Sequence, residues 1–358
     1  MNKLIDRLKR YRVRDFVYFL TPPIFYKIFS MLGSSNNSRP KLVDDSNFSH
    51  ELSMLEEKGM DYFINEDVIK IFCNKSRKQL LESSYGEIDN DKEHYLDKLD
   101  KNGYVIVENV FESDTLNKIN KSLSKIIDKE VDHLKDLRRN SKSLLISDAP
   151  TKNVEGLKCV HNIADGIIRI WNVDNYLPEI KQNIDASEIF SICNSYLSGK
   201  AGPSNIYIDI KSIPDAYDSS CEPHSDSAFK ICKVFIALED ITLDNAPFLY
   251  FKGSHKPHHF RLLKDLMHFS HHNNKYHDSF AAFNYMGMFK FAESENSYFE
   301  PVTVELKAGD AIITDTRGIH AATSLKKGRR VQLGLVYADR DYDMSADYNI
   351  SHLVKDSH

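Results

Sequence analysis

His224-Ser225-Asp226, His320 and Arg330 are the residues of this chain whose types, order and spacing can carry chemistry. Two imidazoles and one carboxylate can occupy one face of an octahedral iron(II) ion and leave three adjacent positions open. Two oxygens of a chelating 2-oxo acid and one of dioxygen fill such positions, so the set suits iron(II), 2-oxoglutarate and O2. The far carboxylate of the 2-oxo acid then needs a fixed counter-charge, and the planar fork of an arginine can give it two hydrogen bonds. Arg330, at the head of an apolar run in the segment GDAIITDTRGIHAATSLKKGRRVQLGLVY, meets that need. A His-x-Asp triplet alone is weak, because triplets of this kind recur in surface turns that bind nothing. The downstream histidine and arginine give it weight. Two other classes use parts of the same set. A zinc-dependent hydrolase would use His-Asp-His to lower the pKa of a bound water, with no role for the arginine. A non-catalytic, cupin-like binding protein would keep the shape and lose the chemistry, which retention of all three ligands opposes.

The ligands need elements to hold them. If His224 and Asp226 flank one residue at a strand edge, the two-residue alternation sends both side chains the same way, and His320 can meet them from a neighbouring strand. The runs Ile206–Ile213, Val234–Ile241, Phe248–Phe251, Val302–Leu306, Ala311–Thr316 and Val331–Tyr337 predict short strands without intervening helices. Such a series closes into a barrel or sandwich. Ahead of it the pattern predicts a helix over 94–101 ended by Gly103, a strand Tyr104–Val107, and a long amphipathic helix Glu112–Leu134 with an acidic start. Leu52, Leu55, Met60, Phe63, Val68, Ile71, Phe72 and Leu80 have helical spacing.

Over roughly residues 94–340, a domain-sized stretch, the chain resembles the phytanoyl-CoA dioxygenase-like branch of the iron(II)/2-oxoglutarate oxygenases. The family's opening looks like LDKLDKNGYVIVENVFESDTLNKI, its metal triplet like His224-Ser225-Asp226, and its next strand and turn like VFIALEDITLDNAPFLYFKGSHK. The distal histidine and the arginine resemble those of the tail quoted above. The resemblance implies a mainly β fold with α, a double-stranded β-helix (jelly-roll, cupin-like barrel) with packed helices and an N-terminal helical extension. It further implies iron held by His224, Asp226 and His320, with Arg330 on the distal carboxylate of 2-oxoglutarate. The family's arginine starts a strand whose aromatic residue follows seven positions later, and Arg330 stands in that relation to Tyr337, which favours it over Arg329. Lys211 resembles a lysine on the strand before the triplet that faces co-substrate or substrate, although a solvated strand lysine is as good a reading. Phe235 stands at a position often occupied by tryptophan, and Lys252 where a proline is usual. Halogenating relatives replace the acidic ligand with a small residue. Its retention as Asp226 implies hydroxylation of an unactivated carbon, with release of succinate and CO2.

The remaining features set the surroundings. A composition of 41% hydrophobic and 28% charged residues excludes a disordered chain, and a net charge of -5 gives no footprint for nucleic acid. Five cysteines without CxxC spacing exclude a disulfide framework and fit a reducing cytoplasm. Cys221 and His224 make a Cys-x-x-His that lacks a second ligand pair for zinc. We expect four regions: a basic and aromatic segment with linker at 1–48, a helical extension at 49–93, the oxygenase domain at 94–345 and a tail at 346–358. Residues 8–32 either pack on the domain or a second subunit, the reading favoured here, or lie at a membrane surface through Phe16, Phe19, Leu20, Phe25, Ile28 and Phe29. That segment resembles the leaders of some bacterial polysaccharide-assembly enzymes, which points towards a glycan or lipid-linked substrate at the inner membrane surface, alongside small molecules in general. The histidines at 255–277 read as a solvated loop or lid. Trp171, the single tryptophan, is expected in the core.

Overall fold

The structure is a computed structural model and describes residues 92–140, 152–256 and 299–338, apart from 164, 200, 203–205, 215, 217–220, 222 and 227–229. The expected segments 1–48 and 346–358, the helices over 51–82 and the histidines of 258–277 lie outside the described residues.

The chain enters the described part through α1 (Glu93–Asn102), ends it at Gly103 and turns into β1 (Tyr104–Val107). Gly103 has φ +85°, and a Cβ there would meet the Tyr250 hydroxyl at 2.2 Å, so glycine is required for both backbone and space. The long helix α2 (Ser113–Asn140) runs past the predicted end at 134 and buries Leu116, Ile119, Leu123, Ile126, Ile127, Val131 and Leu134 along one stripe. Three strands follow that the strand series above did not include: β2 (Lys152–Val154), β3 (Leu157–Asn162) and β4 (Ile167–Trp171). Helices α3 (Val173–Tyr176), α4 (Pro178–Ala186) and α5 (Glu188–Tyr196) lead to β5 (Tyr207–Lys211), β6 (Ile231–Ala237), β7 (Phe248–Phe251), β8 (Pro301–Val304), β9 (Ala311–Asp315), β10 (His320–Ala322) and β11 (Arg330–Ala338).

Eight strands form one antiparallel sheet in the order β1-β9-β6-β11-β5-β4-β3-β2, and β10-β7-β8 form a smaller one. The non-sequential order, with strands exchanged between two facing sheets, is that of a jelly-roll barrel. Alternation makes the large sheet two-faced. Val331, Leu333, Leu335 and Tyr337 of β11, with Ile208 and Ile210 of β5 and Val234 and Ile236 of β6, join the apolar core shared with α2, α4 and α5. The intervening positions face the other way and mix charged and polar side chains with aromatic, aliphatic and small ones.

Those intervening positions line up across the strands in four rungs. The first is Ile167–Lys211–Arg330, and the second Arg169–Asp209–Gln332–Ala237. The third is Trp171–Tyr207–Gly334–Phe235–Ile312, and the fourth Val336–Lys233–Thr314–Tyr104. Rungs two residues apart lie about 6.6–6.8 Å apart along a strand. Between the sheets a small apolar cluster of Ala237, Ile241, Val304, Leu306 and Ile312 closes one end of the barrel.

On the helix-covered face Asp315 is buried against the Tyr196 hydroxyl of α5, and a second charged group is buried beside α2. Glu130 of α2 and His161 of β3 lie 3.0 Å apart, each buried, with Lys152 3.4 Å from Glu130. Burial holds the His161 imidazole below its usual pKa, with Glu130 opposing. Among the described residues no helix is long and apolar enough to cross a membrane.

Candidate active site

His224 and His320 face each other because their backbones pair reciprocally: each N–H donates to the other's carbonyl at 2.8 Å. One residue beyond Ser225, the Asp226 N–H donates to the Thr316 carbonyl at 3.0 Å, which fixes the carboxylate beside the two rings. The alternation expected of His224-Ser225-Asp226 is realised. One ligand atom from each of His224, Asp226 and His320 lies within 4.8 Å of the others, and this is the one such group among the described residues. Cys221 is not part of it. The shortest approaches are 3.2 Å from His320 Nε2 to Asp226 Oδ2 and 3.7 Å from His224 Nε2 to Asp226 Oδ1.

Two further contacts prepare this group. His320 Nδ1 lies 2.9 Å from the Gly318 carbonyl, which can only accept, so Nδ1 carries the proton and Nε2 is left to face Asp226. Phe248 stacks on the His320 ring at 5.5 Å and 23°. Burial pushes the Asp226 carboxyl up, but Lys233 at 2.8 Å and the two histidines outweigh it and hold the group well below the usual carboxylate range. An ionised carboxylate with two imidazoles is a donor set that suits a divalent iron ion.

Arg330 opens the first rung on the same face. It is buried, its Nη1 donates to the Ala246 carbonyl at 2.8 Å and its Nη2 to Asp209 at 2.9 Å. Its Nε is buried without a hydrogen-bond partner among the described residues, a need that an incoming carboxylate would satisfy. Arg329 turns away to Glu239, 3.0 Å from its Nε, and to Asp128 of α2. Lys211 is buried, at 1% exposure, so the solvated-lysine reading is overturned. It sits opposite Arg330 and donates to Cys221 Sγ at 3.1 Å and to the Thr323 carbonyl at 3.4 Å. On this face Arg330, Lys211, Lys233 and Arg169 outnumber Asp209 and Asp226, an imbalance that suits a dianionic guest such as a dicarboxylate.

Three residues were missed as site components: Asp209, Lys233 and Tyr207. Their signal was present, since each occupies an alternate position in an otherwise apolar strand, YIDIK or ICKVFIA. Asp209 is clamped between Arg330 and Arg169. The Tyr207 ring lies over Gly334, where a Cβ would meet Tyr207 Cζ at 2.3 Å. Two expectations are corrected. Trp171 is half-buried on the site-facing side and packs on Tyr207 at 4.5 Å, rather than in the helix-covered core. His255 is no solvated loop residue: it is buried, with Nε2 donating to the Asp100 carbonyl at 2.7 Å.

Comparison with known proteins finds similarities of different extent. The crystal structure of the non-haem alpha-ketoglutarate-dependent carbocyclase SnoK of nogalamycin biosynthesis is 16% identical, with a TM-score of 0.44, covering 75% of this chain and 90% of that one. EctD of S. alaskensis, solved with bound Fe, is 15% identical with a TM-score of 0.43, covering 72% and 81%. The protein translocase subunit SecA of Ehrlichia canis (strain Jake) is 26% identical over 171 residues, 47% of this chain, and the chain spans 16% of that protein's length. The model of the family described as phytanoyl-CoA dioxygenase (PhyH) matches residues 99–330, a span that holds His224, Asp226 and His320 and ends on Arg330. With a match over more than half of its length, the chain belongs to the phytanoyl-CoA dioxygenase family.

Proposed function

We propose that this enzyme is an iron(II)- and 2-oxoglutarate-dependent oxygenase that hydroxylates an unactivated carbon of a small-molecule, glycan or lipid-linked substrate. The observation that carries the reading is the convergence of His224, Asp226 and His320 on the face of the sheet that also bears the buried Arg330. Family membership and this donor set support iron(II), 2-oxoglutarate and O2 as cofactor and co-substrates. Bound iron with 2-oxoglutarate supplies the oxidising power for hydroxyl insertion, with succinate and CO2 released.

The chain's own residues position and shield. His224, Asp226 and His320 are the proposed ligands, with the Gly318 carbonyl fixing the His320 tautomer. Arg330 is assigned to the distal carboxylate through its Nε, with Asp209 and the Ala246 carbonyl holding its two Nη groups. Lys211, its cross-strand neighbour, is the proposed second cation there. Tyr207, Phe235 and Phe248 wall the space between metal and anchor and limit water there. A zinc hydrolase would leave the buried guanidinium and the excess of cations without a purpose. We place the enzyme in the cytoplasm, with contact to the inner membrane surface through residues 8–32 as one arrangement for a lipid-linked substrate. The test is succinate release from 2-oxoglutarate with iron(II) and ascorbate. Release by the intact chain and none by the His320→Ala variant supports the proposal. Hydrolytic activity with zinc and no succinate with iron refutes it.

A further inference from the structure

Lys233 is a costly residue where it stands. β6 presents Lys233, Phe235 and Ala237 to the site, and lysine is disfavoured in strands and expensive to bury without a counter-charge. Its side chain is 20% exposed, and its ammonium lies 2.8 Å from Asp226 Oδ2, within the range of a charge-assisted bond. The Thr314 hydroxyl donates to the Lys233 carbonyl at 3.2 Å and steadies the strand beneath it. Oδ2 also lies 3.2 Å from His320 Nε2, and Oδ1 lies 3.7 Å from His224 Nε2, so both oxygens face the other two ligands. A carboxylate with both oxygens available can chelate an ion through both, and would then fill one of the three positions that a 2-oxo acid and dioxygen require.

We propose that Lys233 is a positioning residue: by holding Oδ2 it makes Asp226 offer the metal a single oxygen and keeps a coordination position open for the 2-oxo acid. The inference rests on His224, Asp226 and His320 being the metal ligands. Its effect is on geometry rather than on whether an ion binds, because all three ligands remain when Lys233 is changed.

The test uses the full, metal-free chain with Co(II) as an optical probe of coordination. The unaltered protein binds one Co(II), and His320→Ala abolishes this. If the unaltered protein binds none, the metal assignment itself fails, whatever Lys233 does. Lys233→Met still binds one Co(II), but its visible spectrum changes, and 2-oxoglutarate binds the loaded protein about tenfold or more weakly, the scale of losses seen for such supporting contacts. Lys233→Arg, which keeps a charged donor, restores both. Lys233→Gln serves if the methionine variant does not fold, and shows the same spectral change. An unaltered spectrum and unaltered 2-oxoglutarate affinity in a folded Lys233 variant overturn the proposal, as does a loss confined to the melting temperature of the metal-free protein.

Discussion

Arg330 offers the sharpest test of how the co-substrate is held. Replacing it with glutamine removes the guanidinium whose Nε is buried without a partner among the described residues, and with it the charge facing the proposed carboxylate. Truncating one side of a buried, hydrogen-bonded charge pair costs about 2–5 kcal/mol, and at about 1.4 kcal/mol per tenfold the apparent constant for 2-oxoglutarate rises about thirtyfold or more. A second cost falls on the fold. Asp209 loses its 2.9 Å partner and keeps only Arg169 at 3.3 Å, which is partly exposed. That leaves a poorly compensated buried carboxylate. Asp209→Asn in the Arg330→Gln background removes that second cost and isolates the first. Arg330→Lys keeps the charge and loses the fork, so it falls between the two. The assay is the 2-oxoglutarate dependence of succinate formation, with melting temperature followed in parallel. If Arg330→Gln and the double variant both keep the original constant, the carboxylate is held elsewhere and the assignment of Arg330 is wrong.

Other outcomes follow from neighbouring features. Asp226→Ala removes one of three protein ligands and abolishes iron-dependent succinate formation without unfolding the chain, checked by circular dichroism and turnover. Gly334→Ala drives a Cβ to within 2.3 Å of the Tyr207 ring, and overpacking of this kind costs about 1–3 kcal/mol. Tyr207→Ala in the same chain recovers part of that loss in denaturant melts, whereas additive losses would show that the two do not collide. His161 titrates near the ordinary imidazole value of about 6.5 in the unfolded chain and lower in the fold. The unfolded chain therefore binds the proton first, and stability is lost as the pH falls through that range. His161→Gln flattens the pH dependence of the melting temperature, and parallel curves for the two proteins contradict this.

The fold class was legible in the sequence, and so were the residues worth testing as a site. His224, Asp226, His320 and Arg330 were legible because ligand chemistry restricts the residue types at each place, and alternation tells which way the side chains point. The barrel strands were legible from short β-branched runs, down to β7 (Phe248–Phe251). The strands β2 to β4 were absent from that reading, which placed no strand between Val107 and Ile206, yet KNVEGLKCVHN and IIRIW carry a turn and an alternation of their own. Lys211 and His255 show a different limit. A lysine on a strand and a histidine beside a polar loop are usually solvated, and only the tertiary pairing with Cys221 and Asp100 reveals that these are buried. The apolar exception, Trp171, erred the other way, because a lone tryptophan has no periodicity to say which face it takes.

That misplaced tryptophan has a practical consequence. Its indole is the chain's sole one, it packs on Tyr207, and Tyr207 in turn overlies Gly334 in the middle of the site-facing surface. Light absorbed at the red edge of the protein band is therefore taken up at one known spot on the site-facing surface, beside Tyr207. Emission from Trp171 makes this protein its own spectroscopic gauge: adding an ion, a 2-oxo acid or a candidate substrate can be followed as a change in one chromophore, before any product has been identified.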